Sequence, residues 1–216
     1  MEPTPDLSHL TRRDYDRVYE PAEDTFLLLD ALELDANALR AAKPQICLEI
    51  GSGSGCVSTF LAKILGPSVL YLCTDINFHA CRCTFLTGVQ NQVILDPINT
   101  SLDSAVRYRL VHGVDIILFN PPYVPTSSDE AEDAQEGRTI EGSWAGGFNG
   151  MELTNVFLER VEHLMSLQGK FYLVAVKQND IEHIRRSMLH SYGLKSEIVL
   201  QRRAGREHLF VVRFTR

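Results

Sequence analysis

The sequence predicts an α/β fold: a mostly parallel sheet with one antiparallel edge. Three observations predict it. Short apolar runs alternate with helical stretches after Pro44, the pattern of repeated βα units. The first of these runs leads into a glycine-rich turn, Gly51-Ser52-Gly53-Ser54-Gly55. The last two runs, 196–201 and 208–214, flank the short basic tract 202–206 and read as a terminal hairpin.

Taken in order, residues 1–17 are polar and aperiodic and are expected to form a loosely held arm before a single domain, 18–216. A helix is expected over 21–34, opened by Pro21 and two acids, with Phe26, Leu27, Leu29 and Ala31 on its apolar side. Strands follow at 46–50, 69–74, 93–99 and 114–119, then at 170–176 and in the hairpin, seven in all. Between them lie helices over about 56–65, up to about 89, a short one near 102–110, then 150–167 and 179–190. The segment 124–148 has no periodicity and is too long for a plain connector, so it reads as a lid or binding loop. No repeat or linker divides the chain.

Composition bounds the function. The 216 residues carry 23% charged and 44% hydrophobic side chains, the balance of a soluble globular domain that buries roughly 70% of its unfolded surface. No long apolar run is present, and the acidic start Met1-Glu2-Pro3 is unlike a signal peptide. Five cysteines (47, 56, 73, 81, 83) are an odd number in apolar contexts and read as reduced thiols of an intracellular protein. His79, Cys81 and Cys83 alternate on a helix, which turns them to different sides and argues against a metal site. The formal net charge of −7 argues against grip on a nucleic-acid backbone. The acidic run 129–136 reads as a solvated loop, or as a surface that steers a basic protein.

Two patterns carry chemistry. Asn120-Pro121-Pro122-Tyr123 directly follows the apolar strand 114–119, at the carboxyl end where open α/β sheets bind ligands. The prolines end ladder pairing and leave carbonyls free to accept hydrogen bonds. With one amide and one aromatic face beside them, the set suits a planar NH2-bearing group. The second pattern is Glu49 and the glycine turn, followed about twenty residues on by Asp75 at the next strand end. There an acid reaches the hydroxyls of a bound ribose. Asp75 also suits a helix cap, and Glu49 also suits a buried acid held by backbone amides.

Together these residues resemble the class I, S-adenosylmethionine-dependent amino-methyltransferases. Two further segments, Tyr19-Glu20-Pro21-Ala22-Glu23-Asp24-Thr25-Phe26-Leu27-Leu28-Leu29 and Trp144-Ala145-Gly146-Gly147-Phe148-Asn149-Gly150, are similar to the eukaryotic branch of the HemK-like release-factor glutamine methyltransferases. The resemblance spans about Val18 to the C-terminus. It implies a Rossmann-like seven-stranded sheet with helices on both faces, S-adenosylmethionine as cofactor and S-adenosylhomocysteine as product. It implies contacts from Tyr19 and Thr25 to the cofactor's amino-acid end, and from Gly51, Gly53 and the turn to Gly55, supported by Glu49. Asp75 is implied at the ribose, and Ser101 and Leu102 near the adenine. Relatives carry an acid where this chain has Ser101, with Asp103 two residues later. Asn120, Pro121, Pro122, Tyr123 and Trp144 are implied at the substrate.

The resemblance also implies a glutamine in the Gly-Gly-Gln tip of the eukaryotic class I release factor as acceptor. It further implies a heterodimer with a small zinc-binding activator subunit, and a cytoplasmic, also nuclear, location. The apolar third-strand segment 93–98 suits a covered sheet edge. Adenine N6 methylation, histone lysine methylation and a non-catalytic ribosome-maturation scaffold are the alternatives. An amide acceptor needs no strong base, and none stands out in the sequence.

Overall fold

The computed structural model describes residues 2–123 and 150–216. Among them a short α1 (Arg12–Tyr15) precedes α2 (Glu23–Ala42). Then come β1 (Ile46–Ile50), α3 (Cys56–Leu65), β2 (Leu70–Asp75), α4 (Phe78–Gln90), β3 (Asp96–Asn99) and β4 (Val114–Phe119). The chain closes with α5 (Glu152–Leu164), β5 (Met165–Val176), α6 (Ile181–Tyr192), β6 (Lys195–Ala204) and β7 (Glu207–Thr215). The seven strands form one sheet in the order β3-β2-β1-β4-β5-β7-β6. Strands β1 to β5 are parallel, and β7 is antiparallel to both β5 and β6. This is the expected Rossmann-like sheet with its antiparallel hairpin.

Alternation along the strands sorts the core into two layers. Cys47, Tyr71, Cys73, Ile116, Leu118, Tyr172 and Val174 face α2 and α3. Leu48, Ile50, Ile117, Phe119, Phe171 and Leu173 face α5 and α6. On that second side Phe157 sits edge-on to Phe119 and Phe171 at 5.1 and 5.8 Å between ring centres. All five cysteines are buried and free. Among the described residues no helix is long and apolar enough to cross a membrane.

Several elements differ from expectation. Pro21 and Ala22 lie before the helix rather than in it, and α2 runs on to Ala42 because Leu32, Ala36 and Leu39 continue its buried side. It stops at Lys43, which is left-handed, before Pro44. The expected helix near 102–110 is a series of hydrogen-bonded turns. It begins at Leu102 with φ +47, incompatible with a helix start. The third strand is only four residues, because Val93 closes the end of α4 by donating to the Gly88 carbonyl at 3.0 Å. Helix α5 ends at Leu164, so 165–167 belong to β5, whose register against β4 shifts between Val114 and Ile116. The basic tract 202–206 does form the hairpin corner, with Gly205 at φ +58.

The N-terminal segment, expected to be loosely held, lies against α4. Leu7, Leu10, Tyr15 and Val18 pack with Ala80 and Cys83.

Gly55 fixes how closely α4 approaches the cofactor turn. It is left-handed (φ +78), and a Cβ there would lie 2.7 Å from the Thr84 Cα. Gly193 is also left-handed (φ +70) but faces open space. Gly193→Ala is expected to lose only the left-handed term, about 1–2 kcal/mol. Gly55→Ala must also displace α4 and should lose at least about 1 kcal/mol more, as for other overpacked sites. Urea denaturation of both variants measures this, and equal losses would refute the packing role.

Candidate active site

The carboxyl ends of β1, β2 and β4 open onto one cavity of about 340 Å³. Register brings the two sequence patterns together: Ile50 pairs with Phe119, so the glycine turn and Asn120 leave adjacent strands side by side. Tyr19, Thr25, Glu49, Gly51, Gly53, Asp75, Leu102, Asn120, Pro121, Pro122 and Tyr123 all line the cavity.

The turn is built for a close ligand. Gly51 and Gly53 have φ of +71 and +53, and a Cβ on either would meet nothing within 4 Å. Their bare backbone faces a cradle. The Gly51 and Ser52 amides donate to the Thr74 carbonyl at 2.8 and 3.1 Å, tying the turn to β2. Asp75 accepts from the Gly53 amide at 2.9 Å and the Asn77 amide at 2.8 Å. Burial raises its carboxyl above the ordinary value, and these two amides oppose the rise. Its lone pairs are not exhausted, so a ribose diol can still be accepted.

Glu49 lies beneath the turn, where burial pushes its carboxyl up to about 8. Its Oε2 accepts from the Ser58 amide at 3.0 Å and from the Ser58 hydroxyl.

Asp24, at the start of α2, ties the far side together. It is 3% exposed and accepts from Asn120 Nδ2 at 2.8 Å and from the Tyr19 hydroxyl at 3.0 Å. Tyr19 and Tyr123 line the same cavity beside it. Burial raises both phenols above their ordinary values, with the Asp24 charge as the next cause. Asn120 Oδ1 is buried and has no partner among the described residues.

Some expected residues sit elsewhere. Ser101 is exposed and does not line the cavity. Asp103 does not replace it: it is buried against Arg160, 3.3 Å away. Gly55 is a packing residue behind the turn rather than part of the cavity wall. Trp144 and the expected lid over 124–148 lie outside the described residues. Asp24, one of two acids at the helix start, carries no distinct sequence signal for this role. Nor does Gly150. It is left-handed and abuts the Tyr123 carbonyl, where a Cβ would clash.

The residues present fit S-adenosylmethionine: an uncovered backbone cradle, a buried carboxylate at the β2 end, and an acidic wall for a cation. Asp24, Asp75 and Glu207 line the cavity against one basic residue, Arg17, among the described lining residues.

Comparison with known proteins places the chain among methyltransferases. It is 47% identical to human "Methyltransferase HEMK2" across 99% of this chain and 96% of that protein. It is 40% identical to the fission yeast "eRF1 methyltransferase catalytic subunit mtq2", covering 100% of this chain and 96% of the relative. The fold matches that of the solved E. cuniculi Mtq2-Trm112 complex with a TM-score of 0.67 at 24% identity, over 92% of this chain and 98% of that one. No family model matches the chain.

The raised Glu49 carboxyl predicts a pH effect. Its folded value of about 8 lies above the ordinary 4.5. Between these values the folded protein holds a proton that the unfolded chain has released. This group's stabilisation is therefore complete below about pH 4.5 and lost as pH rises through about 8. Glu49→Gln cannot lose that proton. Its melting temperature relative to the unsubstituted protein should rise between about pH 5 and about pH 8.5. A difference independent of pH would show that Glu49 ionises normally.

Proposed function

The chain belongs to the methyltransferase family that contains HEMK2 and Mtq2, and we propose that it methylates a glutamine side-chain amide, with S-adenosylmethionine as the methyl donor. The acceptor is the glutamine of the Gly-Gly-Gln tip of the eukaryotic class I release factor, since the yeast relative is named an eRF1 methyltransferase.

One observation carries this reading: the Asn120 amide is locked with its oxygen unsatisfied. Asp24 Oδ2 accepts from the NH2 of Asn120 at 2.8 Å, which fixes the way the amide faces. The amide oxygen is left buried and unpaired among the described residues, which costs about 1–3 kcal/mol until a donor arrives. A substrate NH2 supplies that donor. Its two hydrogens are accepted by Asn120 Oδ1 and the Pro121 carbonyl, and Tyr123 walls the amide plane. The nitrogen lone pair is thereby aimed.

When bound, S-adenosylmethionine supplies a methyl carbon already activated by its sulfonium. The acceptor nitrogen would bond to that methyl carbon as the carbon–sulfur bond breaks, leaving S-adenosylhomocysteine, and one amide hydrogen would pass to solvent as a proton. Tyr19 and Tyr123, whose phenols burial raises, keep their protons and serve as scaffold rather than as base. Thr25 caps the cofactor's amino-acid end, Asp75 accepts the ribose hydroxyls, and the acidic wall favours the cationic donor.

That wall also weighs against nucleic acid, whose phosphates it repels. It would attract a lysine side chain, which makes histone lysine methylation the second reading. An ammonium must first lose a proton, however, and the raised phenols are poor bases.

The small zinc-binding activator covers the β3 edge. β3 ends the sheet, and nearby Ile94, Val89 and Phe85 are 78%, 60% and 54% exposed, an aggregation liability when uncovered. Service to translation termination makes the heterodimer cytoplasmic, with nuclear protein also expected.

The test is labelled methyl transfer by the heterodimer to release factor, histone and DNA in parallel. Label is expected in the release-factor glutamine. Asn120→Ala should lower kcat by about 10²–10³-fold, as for removal of a preorganised polar group. Asp24→Asn, which frees the amide to turn, should lower it by at least about tenfold, the equivalent of 1.4 kcal/mol. Label in DNA alone overturns the acceptor, and full activity in Asn120→Ala overturns the site. Separately, Ile94→Asp should reduce recovery of the activator in co-purification, and unchanged recovery would exclude the β3 edge as its seat.

A further inference from the structure

We propose that the N-terminal segment 6–18 is a built part of the cofactor site, and that His9 is the positioning residue through which it holds the glycine turn. The proposal rests on reading that turn as an S-adenosylmethionine site.

The turn is fixed from behind by two threonines of α4. Thr84 Oγ1 donates to the Gly53 carbonyl at 3.2 Å, and Thr87 Oγ1 donates to the Ser54 carbonyl at 2.7 Å. Ser52 Oγ reaches Thr84 Oγ1 at 2.9 Å. Ser52, Gly53 and Ser54 all line the cavity, so these hydroxyls set the position of the backbone that a cofactor touches.

His9 completes the chain. Its Nε2 lies 3.2 Å from Thr87 Oγ1. The single hydroxyl hydrogen of Thr87 is committed to the Ser54 carbonyl, which can only accept. His9 Nε2 must therefore be the donor, which fixes the Nε2–H tautomer. The relay runs His9 Nε2–H to Thr87 O–H to the Ser54 carbonyl, from the arm to the cofactor turn in two bonds. The other nitrogen, Nδ1, is buried with no partner among the described residues. A side chain needed for packing alone would carry no such bare nitrogen in place of apolar surface.

The arm is seated on both sides of His9. Upstream, the Asp6 amide donates to Asn91 Oδ1 and Asn91 Nδ2 donates to the Asp6 carbonyl, both at 2.8 Å. Downstream, Leu10 and Val18 are buried against α4, and Asn77 Nδ2 donates to the Arg17 carbonyl at 2.8 Å. Arg17 and Val18 then form part of the cavity wall itself. The segment thus touches the site directly at 17–18 and indirectly through His9.

The experiment uses the full chain with its activator and two readouts: calorimetric titration with S-adenosylhomocysteine, and amide hydrogen exchange across 51–55 without ligand. His9→Phe keeps a ring and removes the donor. It should weaken binding about fivefold, the effect of one net hydrogen bond, and speed exchange at Gly53 and Ser54. In turnover the cofactor KM should rise in step while kcat at saturation holds. His9→Gln, whose Nε2 reaches the same place, should recover most of the affinity. Thr87→Val, which removes both bonds of the relay, should lose at least as much as His9→Phe, and the double variant should lose no more than Thr87→Val, because both act through one relay.

Unchanged exchange together with unchanged affinity in His9→Phe overturns the proposal. A loss that His9→Gln fails to recover, matched by a fall in the melting temperature of the ligand-free protein, reduces His9 to packing and overturns it equally. Neither readout depends on the acceptor, so a wrong glutamine assignment leaves the test standing. Faster exchange without any cofactor binding would instead indict the cofactor reading.

Discussion

The site depends on one constraint of the sheet. β1 and β4 are parallel neighbours, yet the strand order runs outward from them in opposite directions, through β2 to β3 and through β5 to β6. At such a switch the chains leaving the two strands diverge, and a crevice opens between them. The pairing of Ile50 with Phe119 places Gly51 and Asn120 at neighbouring ends, one strand spacing of about 4.8 Å apart. A methyl donor cradled on one and an acceptor nitrogen held by the other are thus brought together by backbone pairing, with no loop required to do it. This also explains why the core is concentrated at these strands: Leu48, Ile50, Ile117 and Phe119 are all essentially buried.

What the sheet does not supply is orientation, and buried polar groups do that. An amide side chain has two ends of nearly equal shape and opposite hydrogen-bonding sense. Asp24 removes the ambiguity for Asn120, and its second oxygen gathers Tyr19. In a low-dielectric pocket each such bond is stronger than in water and each unpaired atom more costly. The network therefore holds one geometry firmly and leaves one acceptor open. Glu49 plays a comparable part under the glycine turn, fixed by Ser58, with burial holding its proton through neutral pH.

Most of this was legible in the sequence wherever chemistry and local pattern coincide. The strands, the glycine turn, Asp75 and the Pro-Pro exit follow from apolar runs and from residues that can only sit at chain reversals. Long-range partnership was not legible. Asp24 and Asn120 are 96 residues apart, and beside Glu23 an acid at a helix start reads as a dipole effect. The segment 102–110 has helical spacing, but Leu102 is left-handed and Asp103 is drawn inward to Arg160, both consequences of tertiary packing. Ser101 illustrates the limit of resemblance: it stands where relatives carry an acid, while the turn leaves it exposed. Gly55 has the right residue type but a different task, since only the neighbouring helix reveals that a Cβ has no room.

The two ends of the site share a further dependence that neither motif shows alone. Within the first 25 residues, His9 reaches the back of the glycine turn through Thr87, and Arg17 and Val18 wall the cavity. Asp24 then fixes Tyr19 and Asn120. One continuous segment therefore crosses the carboxyl edge of the sheet and bonds to both patterns in turn. Ordering a segment of this kind costs about 1–2 kcal/mol of backbone entropy per residue. The apolar anchors Leu10 and Val18 and the clip at Asn91 offset that cost. The same ordering thus links the donor side, through Thr87, to the acceptor side, through Asp24. The sheet alone, which fixes only where the strands end, cannot couple them.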